Sequence, residues 1–275
     1  MENLDKKLDK ISIIEVEFEL PSAKNEAGML MYFCYNPKSN ILDWSETVYK
    51  YHPKLKEIVA GIKDKDEFYN KCYEYVENYI KENHKEIKKA RDSFEKSWNE
   101  VGGKFFQNIL KDFDINLSGE IKKIKAIVSI NPICPRNIDK WSYNLFYKSP
   151  SSRMREISIH EIIHFLHFKK WLEIFPDYDK KTFNSPYSEW VLSEILVIPI
   201  MNNNKTIQEI VKNSNFNVYN EWQSIKIMGK SLPEYFGEIY KEHLEKKAAF
   251  DDFIKKSWEE YNKHKDVIES GMKKF

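Results

Sequence analysis

The sequence has little cysteine and almost no net charge, and each shortage excludes a class of protein. Three cysteines in 275 residues, odd in number and far apart, do not have the paired spacing of a disulfide framework or a zinc ribbon. We interpret them as free thiols of a reducing compartment and expect a cytoplasmic protein. Lys+Arg 44 against Asp+Glu 43 leaves a net charge of +1, so no basic field exists to attract nucleic acid or an anionic membrane.

The sequence also lacks a long hydrophobic run. Residues 1–10 alternate charges without the apolar segment of a signal peptide, and the longest apolar stretch, residues 191–201, contains Glu194 and Pro199. We therefore expect neither a signal peptide nor a membrane span. Only eight glycines, together with 32% charged and 41% hydrophobic residues, indicate a folded, helix-rich protein with a well-solvated surface.

The strands are predicted in the N-terminal half. Residues 11–20 alternate apolar and acidic side chains with a period of two, which predicts a half-exposed strand. The apolar run at 30–35 predicts a second strand, joined to the first in a hairpin by the turn-forming residues 21–28. Further strands are predicted at 124–130 and 141–148.

Residues 66–101 carry aromatic and apolar side chains at steps of three and four among lysines and glutamates. This spacing predicts one long helix or two consecutive ones. Such a stripe can be a coiled-coil surface for a partner, but we favour the alternative that it packs against the protein's own core.

Helices dominate the rest of the chain. The residues 149–152 offer a turn and serine caps for a helix through Glu173, which Pro176 ends. A second helix is predicted to start at Ser185-Pro186 and to run to about Pro199. Further helices are predicted at 233–247 and 248–263.

This order of elements predicts an α+β fold, with a small antiparallel or mixed sheet in the N-terminal half packed on the helix of residues 149–173 and a mostly helical C-terminal half. We expect one structural unit, or two lobes. The first lobe, residues 1–175, would hold the sheet and that helix, and the second, residues 176–275, would be helical.

The run His160-Glu161-Ile162-Ile163-His164 lies in the middle of the predicted helix. Residues four apart in a helix are only about 40° apart around its axis, so the two imidazoles project side by side and can bind one Zn²⁺ ion. Glu161 is placed to act on a water at the open side of the metal and is the candidate general base. The alternative is an ordinary amphipathic helix in which the two histidines are surface or core residues and bind no metal.

A catalytic zinc needs a third protein ligand, and the next predicted helix offers two glutamates. Glu194 lies in an apolar run, where an unpaired carboxylate is costly to bury and a metal would remove the cost. Glu189 lies in the first turn, where the helix dipole already explains an acidic residue. We favour Glu194. His167, three residues after His164, is interpreted as a packing residue or as a residue that supports the ligands rather than as a ligand.

The motif followed by Trp190-Val191-Leu192-Ser193-Glu194 resembles the gluzincin metallopeptidases, the thermolysin-like and aminopeptidase-like group, over roughly residues 141–198. The resemblance implies a zinc peptidase that cleaves a peptide or protein substrate, with Glu194 as the third ligand. It also implies that the strand at 141–148 is the sheet edge along which the substrate lies. Tyrosine or histidine stabilises the oxyanion in such enzymes, and the candidates are Tyr187, Tyr235 and His243.

Two positions depart from related patterns. Lys170 replaces the third histidine of the metzincins, which disfavours that branch. Ile198 stands where thermolysin-like enzymes have an acidic residue that supports the ligands. The alternative function is therefore a catalytically degenerate member of this fold that acts as a binding or interaction protein.

Overall fold

The computed structural model describes residues 14–35, 37, 43–115 and 123–272, and it has the α+β fold that the sequence predicts. A mixed sheet has the strand order β1-β2-β4-β3, in which β1, β2 and β4 are parallel and β3 is antiparallel to β4. A short antiparallel pair, β5 and β6, lies in the C-terminal half. The strands are β1 Glu15–Glu19, β2 Lys123–Ser129, β3 Arg136–Asn137, β4 Ser142–Phe146, β5 Lys226–Ile227 and β6 Lys230–Ser231.

Within the described ranges the chain forms eleven α-helices and two short 3-10 helices, at Lys180–Phe183 and Asn220–Trp222. The α-helices are α1 Ala23–Cys34, α2 Ser45–Tyr51, α3 Pro53–Ile58, α4 Lys65–Asn99, α5 Gly102–Asp112, α6 Ser151–Ile174, α7 Ser188–Asn203, α8 Lys205–Ile210, α9 Leu232–Lys246, α10 Phe250–Lys263 and α11 Lys265–Met272. The helices predicted at 233–247 and 248–263 are confirmed as α9 and α10.

The predicted period-two strand is confirmed as β1, while residues 11–13 of the prediction lie outside the described residues. Its outward glutamates face lysines of the parallel strand β2: the Lys123 ammonium lies 3.2 Å from the Glu17 carboxylate, and Lys125 lies 2.5 Å from Glu19. Opposite charges on neighbouring strands support the pairing, and the alternate apolar residues face the core.

The predicted hairpin is wrong, because residues 30–35 belong mainly to α1 rather than to a strand. The Ser22 side chain caps this helix by accepting a hydrogen bond from the Asn25 backbone N–H at 3.3 Å. The buried residues Ala27, Leu30 and Phe33 follow at steps of three, so they form one helical face. The apolar run is continuous because the partly buried Met31 and the 61% exposed Tyr32 stand between the buried residues.

The long helix is confirmed as the single element α4. Asp64 caps its N-terminus by accepting from the Glu67 backbone N–H at 2.8 Å. Its apolar stripe packs on α1, α6 and the sheet, as expected for a stripe that serves the protein's own core. The residues buried along it are Phe68, Cys72, Val76, Ile87, Phe94, Ser97 and Trp98.

The two helices that carry the motif residues differ from the prediction at their ends. In α6, no serine side chain caps the first turn, since Pro150 is the N-cap residue. The helix α7 begins at Ser188 instead of Ser185-Pro186 and continues through Pro199 to Asn203. Proline removes one backbone hydrogen bond in a helix, but α7 is buried on both sides of Pro199, and this packing outweighs the local cost.

The strand that leads into α6 was expected at the sheet edge, and this expectation is wrong. Before entering β4 the chain turns tightly, and β3 pairs with the outer side of β4, Arg136 opposite Tyr143 and Asn137 opposite Ser142. The backbone donors and acceptors of these β4 residues are therefore flanked on both sides.

Cys34, Cys72 and Cys134 carry free thiols, as the sequence predicts. None of the helices in the described part of the chain combines the length and apolarity that crossing a bilayer requires.

Candidate metal centre

The helix α6 brings His160 and His164 together on one face. Their Nε2 atoms lie 3.0 Å apart, and the ring centroids are separated by 4.7 Å. The side chain of His164 is fully buried, whereas that of His160 is 26% exposed. The pair is therefore open to the solvent on the His160 side.

Glu194 reaches the two histidines from α7. Its Oε2 lies 3.5 Å from His160 Nε2, and its Oε1 lies 3.6 Å from His164 Nε2. Ligand atoms of a tetrahedral zinc site are about 3.3 Å from one another, because each bond is about 2.0–2.1 Å long. The two separations from Glu194 are near that spacing but involve different carboxylate oxygens. With one ligand atom taken from each residue, the three atoms lie within 4.8 Å of one another, so these residues could hold a metal ion.

The electrostatics give His164 and Glu194 the protonation states that a metal needs. Burial, with the charge of Arg136 next in importance, keeps the pKa of His164 well below 6.5, so its imidazole is neutral. Burial alone would raise the pKa of Glu194, but Arg136 and the histidines outweigh it and hold that pKa well below 4.5. Neutral imidazole and ionised carboxylate are the forms that bind zinc.

Arg136, at the start of β3, places a positive charge between two acidic residues. Its Nη1 lies 2.9 Å from Glu194 Oε1 and 3.4 Å from Glu161 Oε2. All three side chains are at least nine-tenths buried. Burial raises the pKa of Glu161, and Arg136 opposes that rise. One guanidinium thus fixes the position of both the candidate ligand and the candidate base.

Glu161 and Glu194 line a cavity of about 390 Å³. Tyr219 lines it too, and its hydroxyl donates to Glu194 Oε2 at 3.4 Å. Aromatic side chains form a large part of the walls. The aromatic side chains around the cavity are Tyr32, Phe33, Trp44, Phe183, Trp190 and Tyr219.

The structure places the competing candidates elsewhere. Glu189 interacts electrostatically with Lys265 and Glu269. His167 is buried against Phe168 and Trp171, and burial lowers its pKa to about 3.

The other expected residues make their contacts away from Glu161 and Glu194 and, like His160 and His164, are not in the lining of the cavity. Tyr235 donates to Glu260 at 2.5 Å, and His243 packs on Tyr240 and Phe253. Tyr187, which precedes α7, is 41% exposed and also lies outside the lining. Tyr219, which contacts Glu194, is the tyrosine nearest to the candidate ligands among those named here.

The sequence reasoning missed both Arg136 and Tyr219. Arg136 is one of four arginines among 44 basic residues, and it follows Cys134-Pro135 at the start of a two-residue strand. Scarcity of arginine is a weak signal, and Tyr219 is one of 16 tyrosines with no distinguishing spacing. Both residues reach the site only through the tertiary fold.

No protein-family model matches this sequence, and no curated protein or solved structure resembles it significantly.

Proposed function

We propose that this protein is a zinc-dependent metallohydrolase of the gluzincin type, a peptidase that hydrolyses an amide bond of a peptide or protein substrate. One observation supports it above all: ligand atoms of His160, His164 and Glu194 lie within 4.8 Å of one another. Two histidines and a glutamate are a ligand set of catalytic zinc sites, which keep a further position for water.

In the proposed mechanism, His160, His164 and Glu194 would hold a zinc ion, which would supply a Lewis acid to lower the pKa of a water and polarise the scissile carbonyl. Glu161 would accept a proton from the water as its oxygen adds to the carbonyl carbon, and would pass that proton to the amine nitrogen as the C–N bond breaks. Arg136 holds Glu161 and Glu194 in place through Nη1. The Tyr219 hydroxyl, beside Glu194, is the candidate donor to the oxyanion.

The base role is tested by Glu161→Gln. This variant keeps the zinc ligands, so we expect one zinc per chain and a loss of peptide hydrolysis of about 10²–10⁴-fold. Elemental analysis and a peptide-library digest measure the two quantities. Glu156→Gln, on the same helix but paired with Arg153, is the matched control and should retain turnover. Wild-type turnover in Glu161→Gln would remove Glu161 from the base role.

A second candidate is a catalytically degenerate member of the same fold that serves as a binding protein. The position of Arg136 favours this candidate. Its guanidinium lies 2.9 Å from the Glu194 carboxylate, so a positive charge pairs with that carboxylate even without a metal. If the protein cleaves no peptide in the library, whether or not it binds zinc, this second candidate is supported.

We place the proposed activity in the cytoplasm, with a peptide or protein as the partner rather than nucleic acid or a membrane. The three free thiols suit a reducing compartment, and the net charge of +1 offers no attraction to polyanions.

A further inference from the structure

Arg136 has hydrogen-bonding capacity that the two carboxylates do not use. Its Nη1 serves both Glu194 and Glu161, while Nε and Nη2 are buried and have no partner among the described residues. The side chain is only 10% exposed. Leaving charged donors buried and unpaired is costly, so such groups in a folded protein require an explanation.

A ligand that accepts hydrogen bonds from Nε and Nη2 would explain these unpaired donors. The charges around the cavity indicate the charge of that ligand. Arg136 is the one cationic side chain in its described lining, and Glu161 and Glu194 are the acidic ones. These three side chains carry a net charge of −1, and a bound divalent cation would change the total to +1. A negatively charged group would then neutralise the site.

We infer that the substrate carries a carboxylate that binds the Nε/Nη2 edge of Arg136, an inference that rests on the proposed function. The two donors form a planar fork that matches the two oxygens of a carboxylate. Because Nη1 of the same guanidinium lies 3.4 Å from Glu161, this carboxylate belongs to a residue next to the scissile bond. Its source is either the terminal α-carboxylate or an acidic side chain.

The tryptophans of the cavity provide a way to detect binding. The Nε/Nη2 edge is closed to solvent in the free protein, so a ligand reaches it only when Arg136 or a wall residue moves. Trp44 and Trp190 line the same cavity. Binding should therefore change tryptophan fluorescence.

The experiment titrates zinc-loaded Glu161→Gln protein with four peptides that it does not cleave. N-acetyl-Phe-Phe as the free acid is compared with its amide, and N-acetyl-Phe-Asp amide with N-acetyl-Phe-Asn amide. We expect one acid of the two pairs to bind about tenfold more tightly than its neutral counterpart. The pair that shows the preference identifies the source of the carboxylate.

Adding Arg136→Lys, which keeps the charge and removes the fork, should reduce this preference to less than about threefold. Arg153→Lys, at a 57% exposed arginine outside the cavity lining, is the matched control and should leave it unchanged. Because a carboxylate also binds zinc directly, a preference that survives Arg136→Lys would overturn the inference. Equal binding of acids and amides, or no saturable binding of any peptide, would overturn it as well.

A measurement on protein with Arg136 intact guards against a variant that does not fold. The chain has only four arginines, so the side-chain Nε–H resonances in an NMR spectrum are few. The Arg136 resonance should shift with the preferred acid and not with its amide, and an unmoved resonance contradicts the inference.

The two proposals fail in different ways. Acid preference without hydrolysis by the wild-type protein would leave the carboxylate site standing and remove the peptidase. If the wild-type protein hydrolyses acid and amide peptides at equal rates, the peptidase proposal stands and the carboxylate site is removed.

Discussion

At the scale of single residues, the carboxylate of Glu194 connects the parts of the candidate site. One oxygen lies near His164 and Arg136, and the other lies near His160 and the Tyr219 hydroxyl. A charge buried this deeply needs partners on both oxygens. The ligand, the positioning arginine and the tyrosine therefore depend on one another through this side chain.

The role of Tyr219 gives a residue-scale prediction. Tyr219→Phe should lower kcat about 100-fold, because it removes one donor to the oxyanion, while the zinc content stays at one per chain. Tyr235→Phe is the control. It removes the hydrogen bonds to Glu260 and His264, neither of which belongs to the candidate site, and should leave kcat unchanged. The opposite ranking of the two variants in a steady-state assay would return the oxyanion role to Tyr235.

Glu26 gives a prediction about pH. It is fully buried in α1, accepts hydrogen bonds from the Ser129 hydroxyl and the Ile130 backbone N–H, and burial raises its pKa from 4.5 to about 7. A raised pKa in the folded state means that this group's contribution to stability is complete below pH 4.5. That contribution is lost as the pH rises towards 7.

Glu26→Gln cannot ionise and can still accept both hydrogen bonds. We expect the free energy of unfolding of the variant minus that of wild type to be larger, meaning a relatively more stable variant, at pH 8 than at pH 4.5 by on the order of 3 kcal/mol. Urea denaturation at the two pH values measures this difference. A difference that does not change with pH would show that Glu26 titrates at its ordinary value when folded.

At the residue scale, the sequence allowed us to predict those site residues that are related by the spacing of a single helix. His160, Glu161 and His164 could be grouped because a helix fixes their relative directions, and Glu194 stood out as a carboxylate in an apolar run. Arg136 and Tyr219 could not be found, because they come from a short strand and from a loop before a 3-10 helix. No local periodicity links such segments to α6.

At the scale of elements, the junction between α4 and α5 is a place of close approach. A Cβ atom added at Gly102 would lie 2.5 Å from Trp98 Nε1, and Trp98 is packed against Phe105 and Phe106. A Cβ atom at the adjacent Gly103 would meet nothing within 4 Å. Glycine is therefore required at the first position and not at the second.

The neighbouring glycines make a matched pair of variants. Gly102→Ala should reduce the free energy of unfolding by about 1–3 kcal/mol, because the indole of Trp98 must shift within a packed core. Gly103→Ala should be neutral or should stabilise by up to about 1 kcal/mol, because alanine favours the helix. Thermal unfolding of both proteins checks this, and equal effects would contradict the tight packing at Gly102.

The elements that the sequence predicted well are those with a long, regular pattern. The stripe along α4 and the alternation in β1 and β2 each repeat several times, so the period is clear. The segment at 30–35 is short and continuously apolar, and such a run does not distinguish a strand from a helix. The pairing of β3 with β4 depends on a tight turn that only the folded chain reveals.

At the scale of the whole molecule, the C-terminal helix α10 packs against α6, the helix that carries the two candidate histidine ligands. Lys170 of α6 lies 3.0 Å from the Asp251 carboxylate of α10 and donates to the Asp114 carbonyl oxygen at 3.0 Å. On the same side, Trp171 packs edge-on against Trp258. The position where metzincins have their third histidine therefore serves here to join α6 to the C-terminal helices.

The central claim is that His160, His164 and Glu194 bind one zinc ion. The most direct measurement is elemental analysis of the untagged protein, together with the Glu194→Ala and Glu189→Ala variants. We predict one zinc per chain in wild type and in Glu189→Ala, because Glu189 interacts with Lys265 and Glu269 rather than with the histidines. Glu194→Ala should lose most of its zinc. Zinc-free wild-type protein after incubation with excess zinc, or full zinc content in Glu194→Ala, would contradict the account.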